Sequence, residues 1–140
     1  MSVIRLAESD EQVSGCFPIM QQLRTHLIEK EFLPKVRQQQ EAGYRLIYVE
    51  DGGVIRAVAG FRRIDNLASG RTLYVDDLVT DGASRSQGYG RTLMDWLVDH
   101  GRREHCQFLD LDSGVQRFDA HRFYLANRMI ISSHHFKLKL

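Results

Sequence analysis

The sequence predicts a mixed α/β (α+β) fold, in which a mostly antiparallel sheet is flanked by about four helices. The chain has 140 residues, of which 43% are hydrophobic and 26% charged, so we expect one globular domain over residues 1–140. Two apolar runs, residues 44–50 and 54–62, are separated by Asp-Gly-Gly at residues 51–53, and Asp-Gly is a strong hairpin-turn signal. A third run, residues 73–80, is rich in β-branched and aromatic residues and leads through a glycine-bearing loop into a helix. These observations predict an antiparallel meander followed by a strand–loop–helix unit.

The first predicted elements are a short strand and a helix. Residues 3–6 are expected to form the strand. Ser9 and Gln12 have the Ser-x-x-Gln spacing of a capping box, and apolar residues recur at helical spacing after them. We therefore expect a helix over residues 10–27 that is kinked or interrupted at Pro18, because proline cannot donate a backbone hydrogen bond.

The remaining elements follow from similar signals. A second helix is expected to begin near residues 29–31, with Pro34 in its first turn, where proline is tolerated. The helix after the loop leads into a strand that is expected to run parallel to the strand before the loop, through a right-handed crossover. The other predicted elements are this strand at residues 106–111, a last helix at 115–126 with Asn127 as its left-handed cap, and short strands at 129–131 and 134–138.

The loop after residues 73–80 has the features of an anion-binding site. Its sequence is Arg-Ser-Gln-Gly-Tyr-Gly over residues 85–90. Glycines let the backbone approach a ligand closely, and the free N–H groups of a first helical turn point towards an anion. A Walker loop is excluded because no lysine follows Gly90, and a dinucleotide fingerprint lacks its third glycine because Leu93 occupies that position. The pattern that remains is Arg-x-x-Gly-x-Gly between a strand and a helix.

This loop resembles the pyrophosphate loop of the GNAT (general N-acetyltransferase) superfamily. The resemblance extends over essentially the whole chain, because the predicted order of strands and helices is the order found in that family. A second mark lies in the last helix, where Ala120 precedes Tyr124 by four residues, as in the family. Two positions depart from the family pattern, since Arg117 replaces a frequent asparagine and Arg128-Met129 replaces a frequent Gly-Phe pair.

The resemblance implies a GNAT-like sheet with a central, splayed parallel pair of strands, and acetyl-CoA as the cosubstrate. The loop would hold the pyrophosphate. A backbone N–H at the splayed strand end would hydrogen-bond the thioester carbonyl, where a preoriented donor has its greatest effect. The cofactor-binding residues predicted in this way are Leu78, Val79 and Thr80 on the strand and Arg85, Ser86, Gln87, Gly88, Tyr89, Gly90 and Arg91 in the loop and helix start.

Two catalytic residues are predicted. Tyr124 matches the family's usual acid, and a phenol is suited to protonating a thiolate. Asp76 and Asp77 lie in an otherwise apolar strand, where a carboxylate is costly to bury without a partner. Because adjacent strand residues face opposite sides, only one is expected to face the cleft, and Asp77 is preferred as the base since acidic residues are common before this segment in the family. The alternatives that stay open for the base are Asp76, His121, His134, His135 and a water chain.

Composition and cysteine spacing argue against several other classes of protein. The formal net charge is +1, which gives no electrostatic reason to expect nucleic acid or an anionic membrane as a partner. No apolar run approaches the roughly 20 residues that span a bilayer, and the N-terminus lacks the apolar core of a signal peptide. Cys16 and Cys106 have no metal-like spacing, so we expect reduced thiols in a cytoplasmic protein and no metal site.

The predicted function is direct transfer of an acetyl group from acetyl-CoA to an amine, because no nucleophile with an adjacent base is recognisable. The acceptor stays open among small molecules, such as polyamines, amino acids and antibiotics, and a protein N-terminus or lysine. The resemblance implies that residues 25–32 border the acceptor pocket. Two alternatives stay open: a non-catalytic acyl-CoA-binding or protein-interaction module with the same fold, and an enzyme that uses a longer acyl donor. Formation of a homodimer is also open.

Overall fold

Five strands and five α-helices make up the computed structural model, which describes all 140 residues. In chain order they are β1 (Ser2–Leu6), α1 (Asp10–Gly15), α2 (Phe17–Leu23), α3 (Glu29–Glu41), β2 (Arg45–Asp51), β3 (Val54–Asn66), β4 (Gly70–Thr80), α4 (Tyr89–Arg103), β5 (Phe108–Leu111) and α5 (Phe118–Ala126). A 3₁₀ turn at Gly82–Ser84 follows β4. The chain forms two compact units, Met1–Asp110 and Leu111–Leu140. No helix is long and apolar enough to cross a bilayer.

The sheet has the strand order β1-β2-β3-β4-β5. β1 to β4 pair antiparallel as a meander, and β4 runs parallel to β5. The turn between β2 and β3 contains Gly52 and Gly53 at φ 62° and 75°, as a two-residue hairpin turn with both central residues at positive φ requires. The predicted mixed, mostly antiparallel fold is therefore confirmed.

A β-bulge interrupts the pairing of β3 with β4. Gly60 pairs with Asp77 and Phe61 pairs with Val75, so Asp76 is an additional residue on β4 without an opposite partner. A bulge of this kind disturbs the alternation of side chains along a strand. Two consecutive residues of β4 can therefore direct their side chains to the same side of the sheet.

Helices cover both faces of the sheet in the first unit. On one face, α1, α2 and α3 form a buried cluster with Leu46 and Tyr48 of β2. On the opposite face, α4 buries Leu93, and the ring of Trp96 lies 5.7 Å from the ring of Phe61 on β3. The strands β3 and β4 are thereby fixed from both sides.

One of the two prolines agrees with its prediction and the other does not. The helix predicted over residues 10–27 is divided at Cys16 into α1 and α2, and Pro18 is the second residue of α2. Proline is tolerated there because the first N–H groups of a helix have no intrahelical acceptor. Pro34 lies inside α3 rather than in its first turn, so that prediction is wrong. α3 begins at Glu29, and it lacks the one backbone hydrogen bond that Pro34 cannot donate.

The end of the chain also differs from expectation. The strands predicted at residues 129–131 and 134–138 are absent, because neither segment pairs with another strand. Ile130 and Phe136 are exposed to solvent instead. β5 is consequently the last strand of the sheet. Arg128, at φ 65°, rather than Asn127, adopts the left-handed conformation after α5.

Candidate active site

The loop before α4 forms an uncapped helix N-terminus. Gly88 is the N-cap residue of α4 at φ 84°, and Ser86 lies at φ 65°. The first backbone hydrogen bond of the helix runs from the N–H of Thr92 to the carbonyl of Gly88, and no side chain caps the helix. The N–H groups of the first turn are therefore free to bind an anion, and residues that alternate into positive φ form a concave anion-binding nest.

Both ends of this loop are anchored by side chains. The Gln22 amide donates from Nε2 to Oδ1 of Asp81 at 2.9 Å and accepts from the N–H of Gly82 at 2.8 Å. The Gln22 hydrogen bond is the main cause of a lowered pKa of Asp81. At the other end, the Tyr89 hydroxyl donates to Oδ2 of Asp51 at 2.6 Å, which raises the pKa of Tyr89. The exposed segment between these anchors is thus held at two fixed points.

Two arginines lie next to the free N–H groups. Arg85 is exposed. Arg91 donates from Nε to Oδ1 of Asp95 at 3.0 Å, one helical turn away on the exposed surface of α4. Exposed pairs of this kind contribute at most about 1 kcal/mol, so Asp95 does not prevent Arg91 from binding a phosphate.

The end of β4 has an edge that no strand occupies. β5 has 4 residues and β4 has 11, and Gln107, directly before β5, donates its N–H to the carbonyl of Arg71 at 2.7 Å. Because parallel strands advance by the same rise per residue, β5 ends about opposite Val75. Among the strands, residues 78–80 therefore pair with β3 alone, and no strand occupies their other edge.

A cleft of about 630 Å³ lies beside β4, a volume typical of small-molecule sites. Side chains of α2, α3, β3 and β4 line it, together with Tyr44 directly before β2. His26, Leu27 and Phe32, which belong to the stretch predicted to border the acceptor, are among them. The structure thus brings this stretch to the same cleft as the two strand carboxylates.

Asp77 is held in the cleft by two donors. Arg24 donates from Nε to Oδ1 of Asp77 at 2.9 Å, and the Tyr44 hydroxyl donates to Oδ2 at 2.8 Å. Burial, followed by the neighbouring Asp77 carboxylate, raises the pKa of Tyr44 well above its ordinary value. Tyr44 therefore stays protonated and keeps its role as a donor to Asp77.

Asp76 lines the same cleft. Arg62 donates from Nε to both carboxylate oxygens of Asp76 at 3.1 Å, and Arg24 donates from Nη2 to the Asp76 carbonyl at 2.7 Å. Burial raises the pKa of Asp76, although Arg62 acts in the opposite direction. The expectation that only one of the two carboxylates faces the cleft is therefore wrong, because the β-bulge at Asp76 interrupts the alternation on which it was based.

The position of Tyr44 depends on the absence of a side chain at Gly60. A Cβ atom built on Gly60 would overlap the hydroxyl and the ring of Tyr44. Gly60 also pairs directly with Asp77 across the strands. Glycine at this position therefore lets the Tyr44 ring lie against the β3 backbone while its hydroxyl reaches the carboxylate.

Gly60→Ala is expected to lower the free energy of unfolding by about 1–3 kcal/mol, since the buried Tyr44 ring must move. Thermal unfolding of Gly60→Ala, Tyr44→Ala and the double variant measures the coupling between the two residues. We expect Gly60→Ala to cost much less when Tyr44 is alanine. Gly101→Ala is the matched control, because a Cβ there meets Leu73 only at an ordinary 3.5 Å. Equal costs of Gly60→Ala in both backgrounds would show that Tyr44 is not what Gly60 accommodates.

Tyr124 lies in the second unit, on α5, with 9% of its surface exposed. Its carbonyl accepts hydrogen bonds from the N–H groups of Asn127 and Met129 at 3.0 and 3.1 Å, and its ring lies edge-on to Phe123 at 5.7 Å. The backbone of α5 thus holds this residue at the last turn of the helix. Its role as the acid stays a prediction.

The histidines considered as alternative bases have neighbours within the second unit. His121 Nε2 lies 2.8 Å from the Gly114 carbonyl, and His135 Nδ1 lies 3.4 Å from Oδ1 of Asp112. His134 is exposed. No group of three or more His, Cys, Asp or Glu side chains is placed to hold a metal ion.

Four residues of the site are missing from the sequence predictions: Arg24, Tyr44, Gly60 and Arg62. The contacts of Arg24 and Tyr44 with Asp77 join residues 53 and 33 positions apart, and such contacts leave no trace in local periodicity. Two local signals were present. Gly60 is an isolated glycine in an apolar strand, which indicates a bulge or a close backbone approach, and Arg62 places a charge at the end of the same apolar run.

Comparison with known proteins identifies the family. The model of the acetyltransferase (GNAT) family matches residues 7–127. A protein of Bacillus subtilis (strain 168), named uncharacterized N-acetyltransferase YhdJ, is 38% identical over 117 residues, which cover 83% of this chain and 82% of that protein.

Solved structures share the fold. A transcriptional regulator from Bacillus halodurans C-125 superposes with a TM-score of 0.85 at 21% identity, over 100% of both chains. Aminoglycoside N-acetyltransferase AAC(6')-Iy, in complex with CoA, superposes with a TM-score of 0.87 at 12% identity, over 100% of this chain and 95% of that chain. At such identities these likenesses concern the fold, whereas the family model and the 38% identical relative concern the sequence itself. The chain belongs to the GNAT family of acetyltransferases.

Proposed function

We propose that the protein transfers the acetyl group of acetyl-CoA directly to an amine that binds in the cleft beside β4. The observation that supports this most is the arrangement along β4 itself. Asp76 and Asp77 line the cleft, the next residues carry the open edge, and the strand then leads into the loop before α4. β4 and the loop that follows it thus carry, in order, a proton-accepting carboxylate, a proposed binding site for the thioester and a proposed binding site for the phosphates.

The donor groups present fit acetyl-CoA. The N–H groups of Tyr89, Gly90 and Arg91 would bind the pyrophosphate, and the helix dipole favours negative charge there by a fraction of a kcal/mol up to about 2 kcal/mol. Arg85 and Arg91 add charge-assisted contacts. The open edge at residues 78–80 supplies backbone donors for the pantetheine arm and the thioester carbonyl. When bound, acetyl-CoA supplies the acetyl group in an activated form.

Asp77 is proposed as the group that takes a proton from the incoming ammonium. Each of its oxygens accepts one hydrogen bond, from Arg24 or from Tyr44, and retains a second lone pair for the substrate. The amine nitrogen then bonds to the acetyl carbon while the carbon–sulfur bond breaks. Tyr124 protonates the departing thiolate, and the second amine proton returns to the phenol through solvent.

A turnover screen tests the proposed function. Calorimetry is expected to show CoA binding in the micromolar range, or about −8 kcal/mol. Free CoA thiol is then measured with acetyl-CoA and a panel of small amines and short peptides. Release of thiol that depends on an amine supports the transfer. Binding of CoA without release across the whole panel would contradict it and favour a non-catalytic acyl-CoA-binding module.

Asp77→Asn is expected to lower turnover most below about pH 8, where the amine most needs to lose a proton. The asparagine oxygen can still accept from Arg24, so the affinity for CoA should barely change. The measurement is a pH–rate profile from about pH 6 to 9. Asp76→Asn, whose side chain bonds to Arg62 instead, is the matched control. Equal profiles for Asp77→Asn and the unchanged protein would remove Asp77 from the mechanism, and a selective loss in Asp76→Asn would assign the base to Asp76.

A further inference from the structure

The cleft beside β4 contains more positive than negative charge. Its cationic side chains are Arg24, Lys35 and Arg62, and its anionic side chains are Asp76 and Asp77. Asp76 is paired with Arg62 at 3.0 Å, and Asp77 is paired with Arg24 at 2.9 Å. Neither carboxylate is left to neutralise a second positive charge on a ligand. The cleft therefore disfavours a substrate with several ammonium groups.

Lys35 is the cation that remains once these pairs are formed. Its Nζ atom lies 3.5 Å from Oε2 of Glu31, one turn earlier on α3, and the two side chains are 54% and 44% exposed. Such an exposed pair on a helix surface is weak. Glu31 is not among the residues that line the cleft, so Lys35 can exchange this partner for an anion bound there.

Lys35 shares its face of α3 with two amides. Gln38 and Gln39 follow it by three and four residues, which places all three on one side of a helix, and all three line the cleft. Gln39 accepts from Arg62 Nη2 at 2.8 Å through its oxygen, which leaves its amide N–H groups as donors. The α3 side of the cleft thus presents hydrogen-bond donors, whereas the β4 side presents carboxylates.

The two sides are close together. Arg62 spans the distance, because it bonds Asp76 with one part of its guanidinium and Gln39 with another. A ligand that reaches from the carboxylates of β4 to the α3 side of the cleft therefore needs only a short chain of atoms, and the apolar side chains of Leu27, Phe32 and Val36 line the same cleft.

We propose that the acceptor is a small amine that also carries an anionic group, a carboxylate or a phosphate, separated from the amine by a few carbon atoms. This inference rests on the proposed function. The amine end lies at Asp77, and the anionic end binds Lys35 with the amides of Gln38 and Gln39. Charge-assisted hydrogen bonds to the anion select such a molecule against a neutral amine or a diamine.

The test compares acceptors of equal length by kcat/KM for release of CoA thiol: an ω-amino acid, the corresponding aminoalkyl phosphate, the carboxamide of the amino acid, and the diamine. We expect at least one anionic acceptor to exceed the carboxamide by about tenfold or more, with the diamine lowest. The better of the two anionic acceptors identifies the anion as carboxylate or phosphate. Lys35→Gln should remove most of this preference by lowering kcat/KM for the anionic acceptor much more than for the carboxamide, while the affinity for CoA stays unchanged.

Lys30→Gln is the matched control, because Lys30 lies on the same helix but does not line the cleft; it should keep the preference. Melting temperatures of both variants exclude a loss of folding. Three outcomes would overturn this inference: equal rates with all acceptors, a preference for the diamine, or an unchanged preference in Lys35→Gln. Each of them would still be consistent with the proposed acetyl transfer. Absence of turnover with every amine would overturn both proposals together.

Discussion

Gly88→Val is expected to abolish CoA binding while the protein remains folded. Gly88 is the N-cap residue of α4 at φ 84°. This left-handed conformation costs an L-amino acid roughly 1–2 kcal/mol and is least accessible to a β-branched side chain. Valine would force the loop into another conformation and direct the free N–H groups away from the pyrophosphate. Calorimetric titration with CoA measures the effect.

A second left-handed glycine supplies the control for this variant. Gly43, after α3, lies at φ 96°, and a Cβ there would meet nothing within 4 Å. Gly43→Val should therefore lower the melting temperature by a similar amount through the same backbone strain, with CoA binding unchanged. An unchanged affinity for CoA in Gly88→Val would contradict the assignment of the loop to the pyrophosphate.

Tyr124→Phe is expected to lower the turnover number at least tenfold, because a general acid typically contributes about 10²- to 10⁴-fold. The substitution removes only the hydroxyl and keeps the ring beside Phe123, so the melting temperature should change little. The affinity for CoA should stay within about a factor of three, which is under 1 kcal/mol. A structural role for the hydroxyl predicts the opposite pattern, a lower melting temperature with nearly normal turnover.

Single-turnover measurements are needed for this comparison, because slow product release can hide a defect in the chemical step. Tyr48→Phe is the matched control, since Tyr48 is buried to a similar degree in the core of the first unit and does not line the cleft. It should keep the single-turnover rate. A normal single-turnover rate in Tyr124→Phe would rule out the acid role.

The features of the fold that depend on local pattern were predictable. The Asp-Gly-Gly turn predicted the β2–β3 hairpin, and Gly52 and Gly53 adopt the positive φ angles that it requires. The Ser-x-x-Gln pattern predicted a capping box, and the Ser9 hydroxyl and Gln12 side chain form both of its hydrogen bonds. Each of these signals acts between residues at most three positions apart, where the sequence determines the geometry directly.

The features that depend on distant contacts were not predictable. Strict alternation placed Asp76 and Asp77 on opposite sides, but the pairing of β3 with β4 contains a bulge at Asp76. The alternating apolar residues near Phe136 predicted a strand, yet a strand forms only where a neighbour supplies hydrogen bonds. In both cases the deciding interaction belongs to the pairing of strands rather than to the segment itself.

The bulge also determines how this site responds to a change in chain length. On β4, Tyr74 and Asp77 line the cleft and Val75 is buried in the core. Their partners on β3 are consecutive: Arg62 pairs with Tyr74, Phe61 with Val75, and Gly60 with Asp77. Without Asp76 the pairing of β3 with β4 would therefore be regular, and all the remaining side chains of β4 would stay on their present sides of the sheet. The second carboxylate is thus supplied by one additional residue in a strand whose pairing does not require it, so a deletion of a single codon would remove a negative charge from this pocket without rebuilding the sheet.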